Sequence, residues 1–199
     1  IAITSNSSWN LYNFRKGFIS HLIDNNHQVI IIAPKDKYSN LLIKMGCEYY
    51  HIDINDREIK IINEIKILFK YYSILKKIQP SFLISYTIKP NIYGSLVANF
   101  FSIKIINTIS GLGKVFIKKG FLYFIVIKLY KLSLKKSYRV FFHNNDDLNY
   151  FLNLNIVNKK QSVVVSGSGV NVDYFEFKPF PYIHNNNYIF LYVGRIIYE

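Results

Sequence analysis

Residues 28–34, QVIIIAP, are an almost continuous apolar run that stops at Pro34. Successive side chains of a strand point to opposite faces of a sheet, so such a run belongs to a strand buried on both sides. Similar runs occur in IAIT at the start and in CEYYHIDI, SFLISYT, KIINTIS, YRVFFHN and QSVVVSG further on. Between them lie stretches with apolar residues at helical spacing. NFRKGFISHLIDNN places Phe14, Phe18, Ile19, Leu22 and Ile23 at that spacing, and YSNLLIKMG is closed by Gly46. Residues 58–78 form a longer helical stretch with Ile61, Ile62, Ile65, Leu68, Phe69, Tyr72 and Leu75 on one face and Pro80 just beyond. NIYGSLVANFF after Pro90, residues 121–137 and NDDLNYFLNLN complete the set. Strands joined by helices imply parallel pairing through crossover connections, hence an α/β chain with a doubly wound sheet. In such sheets ligands bind beyond the carboxyl ends of the strands, so the segments that follow the strands are where function is to be sought.

The length, 199 residues, suits one domain, or one domain and a fragment. KPFPYIHNNN, residues 178–187, reads as a linker, and YIFLYVGRI then begins again as a buried strand. The expected organisation is a domain over 1–177, a linker over 178–187 and the first strand of a second domain over 188–199. With Ile1 rather than Met in front and a strand at the very end, the sequence is expected to be cut at both ends.

Formal net charge is +13. An anionic partner is one reading: nucleic acid, a phosphate-rich substrate or an anionic membrane. The other is a codon bias that over-uses Lys along with Ile, Asn, Tyr and Phe. Nucleic acid is disfavoured, because the aromatic residues sit mainly at core periodicity and no DNA- or RNA-binding motif is present. A lone cysteine, Cys47, excludes an internal disulfide framework, and five scattered histidines without cysteine pairs give no zinc site.

After the first strand, SNSSWNLYNFRKG brings Asn13 and Arg15 near a helix start. Free N–H groups, the positive helix end and a planar guanidinium suit an anion or a sugar; a helix cap by Asn13 with a surface arginine is the alternative. Lys89 follows the fourth strand, ahead of Pro90, as a phosphate contact or a solvated lysine. Gly111 and Gly113 in SGLGKVF allow close approach to a ligand, although the spacing is not that of a dinucleotide-binding loop. HNNDDLNYF gathers His143, Asn144, Asp146 and Asp147 at a helix start, where capping alone would also account for them. KVFIKKGFLYFIVIKLYKLSLKK, residues 114–136, is too short in its apolar part to span a bilayer. Lysines on both sides of that part suit an interfacial helix on an anionic membrane, or a buried helix with lysines at its ends.

SSWNLYNFRKGFISHL, TIKPNIYGSLVA, ISGLGKVF, FFHNNDDLNYF, GSGVNVDYF and FLYVGRI follow one another along nearly the whole chain. This ordered series resembles the retaining GT-B glycosyltransferases of family 4, above all the bacterial enzymes that extend lipid-linked O-antigen, capsule or N-glycan precursors. The resemblance implies two Rossmann-like domains, of which this chain is the N-terminal, acceptor-binding one, with the first strand of the donor-binding domain. It places Asn13, Arg15 and Lys89 toward the acceptor. Gly111, Gly113, Asn144, Asp146 and Asp147 line the cleft, and Arg195 meets the donor diphosphate. Relatives often carry a histidine where Ile88 stands, so no catalytic residue is named. The implied partners are a nucleotide-sugar donor, a polyprenyl-diphosphate-linked glycan and an anionic membrane surface, on the inner face of the cytoplasmic membrane. No metal and no cofactor are implied beyond the nucleotide sugar as co-substrate. This stretch alone is expected to be inactive. A non-catalytic module that binds a lipid-linked glycan or a partner chain is the alternative.

Overall fold

The computed structural model describes residues 1–55, 60–117, 120–179 and 190–194, except for the side chain of Lys114. The chain divides into two units, Ile1–Gly169 and Val170–Glu199. The first holds strands β1 (Ala2–Thr4), β2 (Ile30–Ala33), β3 (Glu48–His51), β4 (Phe82–Tyr86), β5 (Lys104–Ile109), β6 (Arg139–Phe142) and β7 (Ser162–Val164). Its helices are α1 (Ser8–Asp24), α2 (Ser39–Lys44), α3 (Ile61–Ile78), α4 (Ser95–Phe100), α5 (Phe121–Leu134) and α6 (Asn145–Asn153). All seven strands form one sheet in the order β3-β2-β1-β4-β5-β6-β7, and every pairing is parallel. The expected doubly wound, Rossmann-like α/β fold is therefore observed. From β1 the chain builds outward one way, and from β4 the other, so the direction reverses between β1 and β4. The crevice outside the carboxyl ends of those two strands is where open α/β sheets bind ligands.

Strands β1 and β2 are buried along their length, which is why their sequences are apolar or small throughout. Ile3, Leu11, Ile19, Ile31 and Leu42 pack α1 and α2 against one face of the sheet. Ile67, Tyr71, Ile74, Leu75, Val97 and Ala98 pack α3 and α4 with Leu83 and Ile105. Phe116, Tyr123, Tyr130, Phe142 and Phe151 centre a third cluster around α5 and α6.

Helix α1 starts earlier than its sequence pattern indicates. Its cap is Ser7, whose hydroxyl accepts from the Asn10 N–H at 3.2 Å. Asn13 therefore lies inside the helix and does not cap it. Its amide donates to the Trp9 carbonyl at 2.9 Å.

Helix α3 turns inward a face other than the one its apolar spacing suggests. Glu64, Ile67, Tyr71, Ile74 and Leu75 are buried, while Ile61, Ile62, Ile65 and Phe69 are exposed. The inward face carries polar groups, and each meets a partner. The Tyr71 hydroxyl shares a 2.7 Å hydrogen bond with Thr4 Oγ1, which itself donates to the Ile32 carbonyl at 2.8 Å. Glu64 meets Lys89. Satisfied polar groups cost little to bury, so they decide the rotation of a helix that is apolar nearly all round.

A single π turn, Pro90–Gly94, leads into α4. Asn107 on β5 holds it in place. Its amide donates to Asn91 Oδ1 at 3.0 Å and Ser95 Oγ at 2.8 Å, and its carbonyl oxygen accepts from Ser137 Oγ at 2.7 Å. Asn91 in turn donates to the Thr108 carbonyl at 2.9 Å. All four side chains are buried. Asn107→Ala strips three of these groups of a partner at once, and is expected to lower the unfolding free energy by about 2–4 kcal/mol. Urea unfolding followed by circular dichroism measures it.

In the second unit, Asn171 Oδ1 accepts from the Asp173 and Tyr174 N–H groups, both at 3.0 Å, in a short turn. Of the expected linker only Lys178 and Pro179 are among the described residues. Of the expected strand over 188–199 only 190–194 are, and these are not in strand conformation. Arg195 lies outside the described residues.

Candidate functional site

The loops after β1 and β4 meet at the reversal point, where the Asn6 N–H donates to Thr87 Oγ1 at 3.2 Å. Thr87 has φ +70°, a left-handed backbone that a β-branched residue adopts only under strain. Such strain clusters at ligand-binding positions. The loop after β5 closes over this point: Gly113 has φ +74°, and a Cβ there would stand 2.9 Å from the Ile88 side chain. Only glycine fits without displacing Ile88, the neighbour of Lys89.

Arg15 reaches this region from the second turn of α1. Its guanidinium lies over the Tyr86 ring, 4.4 Å from the centroid. Tyr86 is the last residue of β4 and is buried. One Arg15 nitrogen donates to the Phe14 carbonyl at 3.2 Å, but Nε is buried with no hydrogen-bond partner. Among the described residues no carboxylate pairs with it. Burial pushes the Arg15 pKa down, and the Tyr86 hydroxyl acts in the opposite direction. A cation that is partly desolvated and lacks a counter-charge is poised to receive an anion.

His143, which follows β6, is part of the same neighbourhood. Burial pushes its pKa down and the positive charge of Arg15 adds to this, while Asp147 pulls the other way. The imidazole is therefore neutral near pH 7 and offers one donor and one acceptor. Asn144 and Asp147 are joined in the cap of α6. Asn144 Oδ1 accepts from the Asp147 N–H at 2.7 Å, and its amide donates to Asp147 Oδ2 at 3.1 Å. Asp146 is exposed beside them.

The positive end of α1 is already filled. The Trp9 N–H donates to Asp36 Oδ2 at 2.8 Å, and Ser7 takes the next free N–H. Two N–H groups of the helix terminus are thus engaged within the chain, whereas Arg15 Nε has no hydrogen-bond partner. Asn13 is exposed and bonded within its own helix.

Lys89 pairs with a carboxylate of α3. Its ammonium lies 2.5 Å from Glu64 Oε1, with the two side chains 12% and 10% exposed. Burial and a hydrogen bond to the Glu64 carboxylate push the Tyr93 hydroxyl pKa well above its usual value. Lys89 also lines an open cleft of about 380 Å³ with His51, Asn55, Asn63, Lys66 and Lys70.

The structure thus joins Arg15 with Tyr86 and His143, and Lys89 with Glu64. Tyr86 and Glu64 are absent from the sequence reading. Tyr86 ends an apolar strand and reads as core. Glu64 had a signal: it is the sole carboxylate of an 18-residue helix whose other residues are uncharged or basic. Among the described residues no three His, Cys, Asp or Glu side chains cluster as metal ligands would.

Known proteins agree with this architecture. The family described as "Glycosyl transferase 4-like" matches residues 1–144. The N,N'-diacetylbacillosaminyl-diphospho-undecaprenol alpha-1,3-N-acetylgalactosaminyltransferase of Campylobacter jejuni is 28% identical over 180 residues, covering 88% of this chain and 48% of the relative. This chain therefore spans about half the length of the curated relative it matches. HepE of Anabaena, solved in complex with UDP and glucose, superposes with a TM-score of 0.63 at 8% identity, over 89% of this chain and 46% of HepE. The UDP-GlcNAc 2-epimerase of Neisseria meningitidis superposes with a TM-score of 0.57 at 13% identity, over 82% of this chain and 45% of the epimerase. At such identities the superpositions establish a shared fold alone, the N-terminal half of a GT-B fold. The family match covers most of the chain and does distinguish: this chain belongs to the Glycosyl transferase 4-like family.

Proposed function

We propose that this chain is the acceptor-side domain of a retaining glycosyltransferase. The enzyme moves a sugar from a nucleotide sugar to a glycan carried on polyprenyl diphosphate, in the synthesis of a cell-surface polysaccharide. The observation that carries this reading is Arg15: a half-buried cation, stacked on Tyr86 and without a counter-charge, at the reversal point of the sheet. The family match supports transfer, and the name of the Campylobacter relative describes a diphospho-undecaprenol acceptor.

In this reading the sugar leaves and is received on the same face, with retention at the anomeric carbon. Positioned cations and helix dipoles stabilise the charge that develops on the donor phosphates. Arg15 and neutral His143 orient the acceptor side, with Gly111 and Gly113 in the loop above. Asn13, Lys89, Asn144, Asp146 and Asp147 are retained as outer contacts of that cleft, and Arg195 as the contact to the donor diphosphate. The reaction uses no metal and no cofactor apart from its co-substrate.

The enzyme works on the inner face of the cytoplasmic membrane, as a peripheral protein. Among the described residues no helix is long and apolar enough to cross a membrane. Helix α5 supports surface contact. Tyr123, Val126, Tyr130 and Leu134 are buried, while Phe121, Phe124 and Leu132 are exposed beside Lys128, Lys131, Lys135 and Lys136. One face of the helix is thus packed into the core, and the opposite face carries the apolar and basic side chains that the membrane reading calls for.

The test incubates the purified full-length protein with a panel of nucleotide sugars and a polyprenyl-diphosphate-linked saccharide. The expected product is heavier by one sugar and keeps the anomeric configuration of the donor. A nucleotide sugar epimerised without acceptor would overturn the proposal.

A further inference from the structure

The two edges of the sheet differ in charge. From β4 to β7 the amino edge is built from residues 76–82, 100–104, 134–139 and 153–162, where helices end and strands begin. These segments hold eight Lys and Arg residues and no Asp or Glu. All eight are exposed apart from Arg139, which is half-buried. The amino edge regains carboxylates, Asp24 and Glu48, only beside β2 and β3. The segments at the carboxyl edge carry Asp36, Asp53, Asp146 and Asp147. A lysine bias raises the number of cations everywhere, but it does not clear one edge of carboxylates.

Helix dipoles account for part of the pattern. Lys76, Lys77, Lys135 and Lys136 stand in or just past the last turns of α3 and α5, where a cation meets the negative helix end. That effect fades beyond the last turn. Lys104 and Arg139 instead open β5 and β6, and Lys159 and Lys160 lie well past the end of α6 at Asn153. Aromatic rings hold two of these four in place. The Lys104 ammonium lies 5.5 Å from the Phe82 ring centroid and 5.9 Å from that of Tyr138. The Arg139 guanidinium lies 5.0 Å from the Tyr138 centroid and donates to the Tyr138 and Lys160 carbonyls at 3.0 and 3.4 Å. Phe82 and Tyr138 pack edge to face, with centroids 6.2 Å apart. A ring attracts a cation without cancelling its charge. Among the described residues none of the eight cations forms an ion pair. Beside the stack, Ser102, Lys104, Lys136 and Tyr138 line an open cleft of about 260 Å³.

We propose that this edge is a docking surface for an extended acidic segment of another protein. Its carboxylates meet Lys104, Arg139, Lys159 and Lys160, and one of them enters the cleft beside Tyr138. Charge complementarity selects this occupant. A second copy of this chain would set cation against cation. Single-stranded nucleic acid binds where rings are open to stacking, and Tyr138 already carries two cations. A bilayer here would lie about 20 Å, the length of the six-residue β5, from the edge where a lipid-linked acceptor is received. A partner held at the amino edge leaves that other edge open. The surface goes beyond the transfer reading, on which only the exclusion of the bilayer depends.

Fluorescence anisotropy of a labelled decapeptide of alternating Glu and Asp, titrated with the full-length protein at physiological salt, tests this. The combined variant Lys104→Gln, Arg139→Gln, Lys159→Gln and Lys160→Gln is expected to weaken binding by at least about tenfold. Changing the exposed Lys16, Lys35, Lys37 and Lys44 to Gln removes as much charge elsewhere, and should weaken binding by less than about twofold. If the combined variant does not fold, Lys159→Gln with Lys160→Gln leaves the aromatic stack whole and should still weaken binding by about threefold. Both edge variants should keep sugar transfer, so failure here and failure of the catalytic reading are told apart. Loss of transfer in a folded edge variant would tie these residues to catalysis and overturn the inference. Equal losses in the edge and control variants would reveal a general charge effect and overturn it, as would no binding by the parent protein. Edge-dependent binding that is tighter for an oligothymidylate of the same length would assign the surface to nucleic acid and overturn it too. So would a loss of binding to phosphatidylglycerol vesicles that matches the loss of peptide binding.

Discussion

Replacing Glu64 with Ala is expected to lower the unfolding free energy by about 3–5 kcal/mol, the largest stability effect we foresee for a single change at the site. Lys89 and Glu64 are nearly withdrawn from water, and the two charges compensate each other. Removing the carboxylate takes a counter-charge away from a desolvated ammonium, and Tyr93 loses its acceptor as well. Changing both partners to apolar residues of similar size, Glu64→Leu with Lys89→Met, should restore most of the loss, because no charge is then buried. Urea unfolding checks this through the midpoint, with an unchanged slope showing that compactness is preserved. If the double variant is as unstable as Glu64→Ala, the ion pair is not what holds α3 to the start of the π turn. The pair also bears on function. An internally neutralised Lys89 adds little net field to the cleft, so sugar transfer should fall in Glu64→Ala through misplacement of the loop after β4.

Arg15→Ala is expected to reduce kcat/KM for transfer by the full-length enzyme about 100-fold, the size of effect seen when one preorganised donor is removed from a developing charge. Its effect on stability should be small, about 1 kcal/mol, because the guanidinium gives up a stacking contact with Tyr86 and a bond to its own helix backbone. Arg15→Lys should recover little activity. A lysine keeps the charge but loses the planar fork and the stacking that aim it. Matched losses of melting temperature and activity would show instead that Arg15 acts through folding. His143 should respond in the same assay. Arg15 holds its pKa down, so in Arg15→Ala the imidazole protonates at a higher pH than in the parent protein, an upward shift readable by NMR titration.

Apolar runs such as QVIIIAP can be satisfied only between two covering layers, and seven of them separated by helices leave parallel winding as the workable arrangement. The sheet, its crossovers and the edge at which ligands bind were thus determined by the sequence itself. So were the six ordered segments that point to the glycosyltransferase family. What the sequence left undecided were the rotations of helices and the pairing of charges. Helix α3 is apolar on more than one face, and spacing alone selects the stripe Ile61, Ile62, Ile65 and Phe69. Only the positions of Thr4 and Lys89, brought from far along the chain, made the face with Tyr71 and Glu64 the one that is buried. Likewise the start of α1 depends on Ser7 and Asp36, and Asp36 comes from the loop after β2. Asn13 became an internal helix residue for that reason. Arg15 gained its significance from Tyr86 and His143, which lie 71 and 128 positions away in sequence. Hydrophobic periodicity is a local property and is written along the chain. The neighbours that neutralise, stack on or strand a charged group are set by the sheet order, and that exists only once the chain has folded.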